Sequence, residues 1–477
     1  MKERIKKRPT FMQAMFPILA MLLILGIGIG VYKLPAEPLI VLAAVLSGIE
    51  ARLLGYSFDE IMDEISNKIA KIWGALLILV IVGFMIGAWM LGGTIPMLIY
   101  YGLKLINPKY LALTAFILTS IVSVLTGTSW GSAGTIGVAF MGVAIGMKAN
   151  PALVAGAVVS GAYFGDKLSP LSDTTNLSSA VCGVDIYEHI HNQMWTTGAS
   201  AIAASLFYLI VGKSDATAGA AVPETINLMT STLDSMFNWN IILILPLIIV
   251  LVGSITKKPT IPVMLCASLV ALLNAAIFQG ATLTNIANST LSGFNVSMVG
   301  MKESAVSPDL IRLLHRGGMI SMMNTLLIAI CAISFAGTMT VTGSLDVLVS
   351  KLLEKVNTTF KLVGSTIITC LITTGVTSNG QVSILMPGEA FREAYIKRGI
   401  HPKVLSRTLE DSVTCTECLI PWTAAGAYMA STLGVATLRY LPYAILNYTG
   451  IIFALIWAAT GIGITKIDEN EYLKENK

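Results

Sequence analysis

Acidic and hydroxyl side chains are concentrated in one segment of an otherwise apolar stretch, DKLSPLSDTTNL at residues 166–177. Pro170 cannot donate a helix hydrogen bond and disfavours helical backbone at the residue before it, so a helix should break here. The break would expose oxygens from Ser169, Ser172, Asp173, Thr174, Thr175 and Asn176, next to the carboxylate of Asp166. Hard cations such as Na⁺ prefer oxygen ligands, and protons compete for the same carboxylates. We therefore predict a Na⁺ site at Asp166, Asp173 and Asn176, with the hydroxyl residues as further ligands.

A second segment, LEDSVTCTECLIPW at residues 409–422, repeats this arrangement. Glu417 lies four residues before Pro421, as Asp166 lies four residues before Pro170. An ionisable group at the centre of a bilayer costs about 2.5–3.5 kcal/mol on insertion scales, which favours a functional use for such acids. We assign ion or proton binding to four carboxylates: Asp166, Asp173, Glu417 and Asp411.

Two alternatives remain open for these acids. Lys167 is adjacent to Asp166 and near Asp173, so one of the two carboxylates could form a purely structural ion pair with it. Glu410 and Asp411 lie about two turns before Glu417, and one or both could be near the cytoplasmic end of their helix rather than in the site.

Membrane-spanning helices must position these residues. The chain has 477 residues, of which 55% are apolar and only 12% are charged, whereas a soluble protein carries about 25% charged residues. Long stretches without an acidic or basic side chain include 9–32, 72–103, 110–147, 317–345 and 440–465. A spanning helix needs roughly 20 apolar residues, so we predict an all-α polytopic membrane protein embedded in a lipid bilayer. This composition excludes a secreted enzyme, a coiled coil and a nucleic-acid binder.

The apolar stretches divide into spans and hairpins. We predict spans near 12–32, 38–54, 72–91, 151–185 (interrupted), 192–212, 238–256, 260–278, 318–340, 402–438 (interrupted) and 440–464. Segments 110–147 and 359–396 are predicted to be re-entrant hairpins, because glycine and hydroxyl residues break each in the middle. The arm after the first break, 135–147, would be roughly 20 Å long, short of the hydrocarbon thickness of about 30 Å. The tips offer further candidate ligands: Thr128, Ser129, Thr377, Ser378 and Asn379.

The two hairpins belong to an internal repeat. A shift of 251 residues aligns the hairpins, the linkers and the broken helices, and it pairs Thr126 with Thr377 and Asp166 with Glu417. Five crossings in the first half would place the second half upside down. The fold is therefore predicted to contain two inverted-topology repeats, each with a re-entrant hairpin and a broken transmembrane helix. Secondary transporters are built in this way, with their site near the membrane midplane.

Basic residues set the predicted orientation. When the N-terminus is placed in the cytoplasm, the cytoplasmic ends of the predicted spans carry more Lys and Arg than the outer ends do. The first of these cytoplasmic ends is KERIKKR at residues 2–8. The positive-inside bias predicts a cell-membrane protein with both termini cytoplasmic and a retained signal-anchor helix.

The chain is predicted to divide into five segments. Residues 1–109 form the first-repeat scaffold helices, and residues 110–212 form the first hairpin, broken helix and following span. Residues 213–357 form a linker and the second-repeat scaffold helices, residues 358–465 form the second hairpin, broken helix and last span, and residues 466–477 form a cytoplasmic tail.

Two motifs suggest other chemistry. GTSWG at residues 127–131 fits the G-x-S-x-G pattern of serine hydrolases, but that pattern requires a strand-to-helix turn and a histidine base. The four histidines all fall near predicted span ends. Cys415 and Cys418 form a C-x-x-C without a second pair or a redox fold around them, so packing explains them more simply. We expect neither an enzyme nor a cofactor.

TGTSWGSAGTIGVAFMGVAIGM at 126–147 and GAYFGDKLSPLSDTTNLSSAVCGVDIYEHI at 161–190 resemble the signature region of the NhaC-type Na⁺/H⁺ antiporter family. The similarity covers nearly the whole chain. That family includes malate–lactate exchangers and some amino-acid carriers, and it resembles a wider ion transporter superfamily with paired hairpins, Ser-Asn-Thr tips and an elevator motion. The resemblance implies a homodimer. The tip at 377–379 resembles one such tip, whereas the first tip lacks the Asn.

These observations imply a secondary active transporter that exchanges Na⁺ for H⁺, with both as transported ions rather than cofactors. Each ion would exclude the other from the same carboxylates, and exchange follows when only the loaded forms cross the membrane. The alternative is a Na⁺/H⁺-coupled carrier of an organic anion such as malate or lactate, or of an amino acid, whose carboxylate the hairpin tips would bind. A channel or a structural subunit would not need duplicated broken helices with acids.

Overall fold

The computed structural model describes residues 6–32, 34–218, 223–256, 258–353 and 356–467. Within these residues the regular elements are all helical. The first half contains α1 (Phe11–Gly30), α2 (Ala36–Leu53), α3 (Phe58–Leu91), α4 (Thr94–Leu105), α5 (Leu111–Thr126), α6 (Ser129–Ser132), α7 (Val138–Gly146), α8 (Pro151–Leu168), α9 (Asp173–Cys182) and α10 (Ile186–Ala218). A π-helical turn, Ala133–Gly137, joins α6 to α7.

The second half continues with fourteen α-helices. They are α11 (Pro223–Met236), α12 (Leu245–Ile255), α13 (Thr260–Phe278), α14 (Leu283–Ser292), α15 (Pro308–Leu314), α16 (Met323–Val341), α17 (Ser344–Leu353), α18 (Thr359–Thr377), α19 (Gly380–Ile396), α20 (Pro402–Ser412), α21 (Thr414–Glu417), α22 (Ala424–Leu433), α23 (Thr437–Tyr440) and α24 (Ile445–Thr460).

The described helices confirm a multi-pass membrane architecture. Seven are long and apolar enough to cross a bilayer, or up to ten when each of three bent pairs is taken as one span. Leu23, Ile202 and Ile277 are 62%, 66% and 70% exposed, as expected of side chains that contact lipid rather than water.

Helix α3 extends beyond the predicted span 72–91, because its polar first turns have a strong start signal. Ser57 and Glu60 form a capping box, in which the Ser57 side chain accepts from the Glu60 backbone and the Glu60 carboxylate accepts from the Ser57 backbone. Lys6 also contacts Glu60 at 2.5 Å. The pKa of the Glu60 carboxyl group is lowered to about 2. The hydrogen bond from Lys6 is the largest cause, and the hydrogen bonds with Ser57 are the next.

The local structure repeats at a spacing of 251 residues. Helices α5 and α18 end at Thr126 and Thr377, and each is followed by a left-handed residue, Gly127 and Ser378. The equivalent residues Thr128 and Asn379 then cap the next helix. Helices α9 and α22, each of ten residues, are capped by hydroxyl side chains at equivalent positions and end at equivalent glycines. The inversion of one half relative to the other stays a prediction.

The length argument for the first hairpin was wrong. Its second arm begins at Ser129, not at residue 135, and runs to Gly146 as 18 residues that are long and apolar enough to span. The arm stays helical through its glycines because the Thr128 side chain caps it and a π-helical turn carries it forward. Length therefore does not distinguish a re-entrant arm from a spanning one here.

Close packing of α8 against α5 brings the first hairpin tip beside the break in the first broken helix. A Cβ at Gly161 would lie 2.4 Å from the Phe116 carbonyl oxygen, and one at Gly165 would lie 2.4 Å from Ser123 Cβ. Only glycine permits two helix backbones to approach this closely. The Ser123 hydroxyl completes the contact by donating to the Ala162 carbonyl at 2.5 Å.

Replacing Gly165 by alanine should therefore separate α8 from α5. We expect Gly165→Ala to cost about 1–3 kcal/mol through overpacking, and to lower the apparent melting temperature of the detergent-purified protein. Gly26→Ala is the matched control, because a Cβ at Gly26 would have no neighbour within 4 Å. Equal melting temperatures for the two variants would contradict the close contact.

Candidate functional site

Both hairpin tips and both helix breaks line one cavity of about 670 Å³, which we call the central cavity. The elements that meet there are far apart in sequence but equivalent in the two halves. Nine of the predicted site residues line it: Thr128, Ser129, Asp166, Asp173, Thr174, Asn176, Ser378, Asn379 and Glu417. The cavity therefore gathers oxygens from four separate helix ends.

The break after α8 is held open by hydroxyl groups that bind its free carbonyls. Thr175 Oγ1 donates to the carbonyls of Asp166 and Lys167 at 3.2 and 3.4 Å. Ser169 Oγ donates to the Val124 carbonyl at 2.8 Å, which ties the break to the first hairpin. The Ser172 side chain caps α9 by accepting from the Thr175 amide. Ser169 and Ser172 thus shape the break rather than line the cavity.

Asp166 is the most enclosed acid of the first break. It is 5% exposed, and among the described residues its Oδ1 has no hydrogen-bond partner. Ser129 of the first tip and Ser172 of the break contribute the polar groups nearest to it. A buried carboxylate oxygen without a donor is costly, whereas a cation or a proton would satisfy it.

The second tip contacts the first break directly. Gln381 Nε2 donates to Asp173 Oδ2 at 3.2 Å, and Asp173 Oδ1 accepts from the Thr174 amide at 3.0 Å. Asp173 is more exposed than Asp166 and also lines the cavity. The Asn176 side chain donates to the carbonyls of Pro170 and Ser172, at 2.9 and 2.6 Å. Its amide nitrogen is therefore bound to the break.

The second break closes the other side of the cavity. Ser378 Oγ donates to the Trp422 carbonyl at 3.3 Å and accepts from the Ala424 amide at 3.0 Å. Thr423 Oγ1 donates to the Glu417 carbonyl at 2.5 Å. The Glu417 carboxylate lies so close to the second tip that a Cβ at Gly380 would be 2.6 Å from Glu417 Oε2.

Besides Ser169 and Ser172, two further predicted site residues, Thr377 and Asp411, lie outside the cavity lining and have other partners. Thr377 Oγ1 shares a hydrogen bond of 2.9 Å with Ser383 and so stabilises the second tip from inside. Asp411 forms a fully buried ion pair with Lys167 and accepts from Thr196 Oγ1 at 3.1 Å. The partner of Lys167 is therefore Asp411, not Asp166 or Asp173. Glu410 is also buried and accepts from Ser178 Oγ at 2.9 Å.

The cavity residues that the sequence did not indicate as site residues include Trp130, Gln381 and Lys258. Gln381 follows the second tip and could have been included with it. Trp130 stacks on Tyr428 of α22, with ring centroids 4.5 Å apart, and accepts at its carbonyl from the Tyr428 hydroxyl at 2.6 Å. Lys258 had no sequence signal, because only packing of α13 against α3 brings it near the cavity.

The rival motifs do not form catalytic sites. The GTSWG segment joins helix α5 to helix α6 and lacks the strand-to-helix turn of a hydrolase elbow. Cys415 and Cys418 are buried free thiols packed in α21 and its C-terminal end. His189 lies near a span end in sequence but is fully buried, and it bonds Ser406 and Gln193 at 2.7 and 2.9 Å.

The acidic oxygens of the cavity are spread around its wall. Among the described residues, no three His, Cys, Asp or Glu side chains converge closely enough to hold a metal ion by themselves. A small cation in this cavity would therefore take mixed ligands, combining one or two carboxylates with hydroxyl, amide or carbonyl oxygens. Carboxylates in such a setting can also carry protons.

An all-helical membrane fold with two related halves, and acidic oxygens from both halves around one internal cavity, defines the class of secondary transporters. The sequence model of the Na⁺/H⁺ antiporter family matches residues 161–462. The chain belongs to the Na⁺/H⁺ antiporter family.

Relatives align over nearly the full chain. An uncharacterized Na⁺/H⁺ antiporter of Haemophilus influenzae is 55% identical over 97% of this chain and 98% of its own length. The Na⁺/H⁺ antiporter NhaC of Alkalihalophilus pseudofirmus is 33% identical, over 93% and 96%. The malate-2H⁺/Na⁺-lactate antiporter of Bacillus subtilis is 34% identical, over 88% and 87%.

The Lys167–Asp411 pair joins the two halves, and its removal can be tested by a double-mutant cycle. Lys167→Met or Asp411→Leu alone should lower the free energy of unfolding by about 3–5 kcal/mol, because each leaves one buried charge unpaired. The double variant should be more stable than either single variant. Melting curves of the four detergent-purified proteins measure this coupling, and additive effects would contradict the pairing.

The tight fit of Gly380 against Glu417 gives a second test. Gly380→Ala should displace the Glu417 carboxylate from the second tip and lower the transport rate at least about tenfold, while the protein still folds. Gly375→Ala on the same hairpin is the control, since a Cβ there meets nothing within 4 Å. Transport into proteoliposomes and melting temperature are measured for both, and normal transport by Gly380→Ala would refute the contact.

Proposed function

We propose that this protein exchanges Na⁺ for H⁺ across the cell membrane at the central cavity. The observation that carries the proposal is the convergence of Asp166, Asp173 and Glu417 on one cavity formed by both halves of the chain. The relatives named as Na⁺/H⁺ antiporters over nearly their whole length support the same activity.

The mechanism is competition for one set of carboxylates. Asp166 provides a buried oxygen without a donor, and Asp173 and Asn176 lie on the same cavity wall. A bound Na⁺ favours the ionised carboxylates and so expels protons, whereas protonation removes the charge that attracts Na⁺. Exchange follows when the cavity opens to one side of the membrane at a time and changes sides only with Na⁺ or a proton bound.

The remaining acids have different roles in this proposal. Glu417 is the second proton-exchanging carboxylate, because it faces the cavity from the second break. Asp411 is a positioning residue: its buried pair with Lys167 holds α8 and α20 together and compensates the Lys167 charge. The tip residues Ser129 and Ser378 complete the polar wall.

The motion, orientation and assembly belong to the same proposal. The hairpins and broken helices move as one unit past the scaffold helices in an elevator-type cycle, in a homodimer with both termini in the cytoplasm. The tight packing of the first hairpin on α8, and of the second tip on the second break, supports movement as a unit.

An organic solute is the second candidate cargo. The malate-2H⁺/Na⁺-lactate antiporter matches this chain as closely as the NhaC antiporter does, at 34% against 33% identity. The central cavity also has room for a small carboxylate, with Ser378 and Asn379 of the second tip on its wall.

Proteoliposomes test both candidates. An outward Na⁺ gradient should drive Na⁺ out and H⁺ in and so acidify the lumen of wild-type vesicles without any organic solute. Asp166→Asn should lower this rate at least about a hundredfold. Glu389→Gln is the control, because it removes an exposed acid from the same region outside the cavity. The apparent KM for Na⁺ should also rise as the pH falls, with kcat unchanged, as protons compete.

Each outcome is decisive. Undiminished exchange by Asp166→Asn would refute the assignment of the cavity. A Na⁺-driven pH change that appears only after malate, lactate or an amino acid is added would replace the antiporter by the coupled carrier.

A further inference from the structure

A second, larger cavity lies at the other ends of the helices that border the central cavity. We call it the basic vestibule; it has a volume of about 1160 Å³. Helix α8 begins at Pro151 beside the vestibule and ends at Leu168 beside the central cavity, about 27 Å away at 1.5 Å per residue. Helix α22 also contributes to both, through Ala424 at its start and Leu433 at its end.

The charge of the vestibule has one sign. Its basic side chains are those of Lys148, His315, Arg316 and Arg439. The described lining residues include no Asp or Glu. Glu303 contacts His315 at 4.0 Å, but it does not line the vestibule. Lys148, Arg316 and Arg439 form no ion pair with any described carboxylate.

Arg316 is held in place by the helix end but is not neutralised. Its Nη1 donates to the carbonyls of Thr432 and Leu433 at 3.4 Å, both at the C-terminus of α22. A helix C-terminus carries only about half a negative charge, so most of the guanidinium charge remains uncompensated. Arg439 and Lys148 are exposed, form no ion pair with a described carboxylate, and add two more charges to the same space.

We propose that the basic vestibule binds a phosphate-class oxyanion, either a free phosphate or the headgroup of an anionic phospholipid. The guanidinium fork of arginine matches the paired oxygens of phosphate. Free phosphate carries about −1.5 to −2 charges at neutral pH, and a phosphodiester headgroup carries one negative charge. Either group offsets part of the charge of Lys148, Arg316 and Arg439. The volume exceeds that needed by a halide ion and accommodates a headgroup.

Binding is measured apart from transport, on full-length protein. Isothermal titration calorimetry in detergent compares potassium phosphate with potassium chloride at equal ionic strength. The wild-type protein should bind phosphate, and the double variant Lys148→Asn/Arg439→Gln should bind at least about tenfold more weakly. These two residues are exposed, and Asn tolerates the positive φ of 52° at position 148, so the variant should fold.

A second arm distinguishes the two sources of phosphate. Native mass spectrometry of protein taken from nanodiscs with equal phosphatidylglycerol and phosphatidylcholine should show retained phosphatidylglycerol when a headgroup is the ligand. The double variant should lose that retention. If the protein binds free phosphate in the calorimeter but retains no phosphatidylglycerol, the ligand is a soluble anion. If it retains phosphatidylglycerol but gives no heat with free phosphate, the ligand is a lipid headgroup.

The control and the contrary outcomes complete the test. Lys302→Gln removes an exposed positive charge that does not line the vestibule and should behave as wild type in both arms. The proposal is overturned when the wild type binds neither probe, when the double variant binds as well as the wild type, or when Lys302→Gln weakens binding equally.

Discussion

Backbone groups that are freed inside a membrane protein must find partners within the protein, and this constraint shapes the central cavity. The break after α8 leaves carbonyls at Asp166 and Lys167, and the Thr175 hydroxyl binds both. At the second break Thr423 binds the Glu417 carbonyl in a related way. Because short hydroxyl side chains do this work, the carboxylates of the same segments stay available to the cavity. The same hydrogen bonds from hydroxyl groups to free carbonyls therefore stabilise the helix breaks and leave the acidic side chains available to line the cavity.

Charge in the interior is divided between a compensated part and an uncompensated part. Lys167 and Asp411 neutralise each other across the two halves, with Thr196 as an additional donor. Asp166 and Glu417 have no cationic side chain paired with them in the described structure, although Asp166 is buried and Glu417 is partly buried. Cations and protons are the natural counter-charges for this second group. The ion pair thus keeps Lys167, the neighbour of Asp166 in sequence, from occupying the site as a permanent counterion.

The sequence predicted the helix breaks well because proline and glycine act locally. Pro170 and the tip glycines marked the breaks, and the 251-residue spacing paired Thr126 with Thr377, which both end the first helix of their hairpin. Partners across the fold were not predictable in the same way. Lys167 was considered with the acids nearest in sequence, whereas its partner is 244 residues away. The start of the second arm was also misplaced, since helix propensity alone does not include the packing that keeps its glycines helical.

The stacked rings of Trp130 and Tyr428 have a consequence for membrane voltage. Tyr428 lies on α22 between Ala425 of the central cavity and Ser431 of the basic vestibule, a distance of about 9 Å along the helix at 1.5 Å per residue. Where water fills both cavities from opposite sides of the membrane, the electric field concentrates across the aromatic layer between them. A charge that passes this layer experiences most of the membrane potential, worth about 2.3 kcal/mol per 100 mV. A cycle that moves unequal numbers of charges would then be driven as strongly by the potential as by the ion gradients themselves.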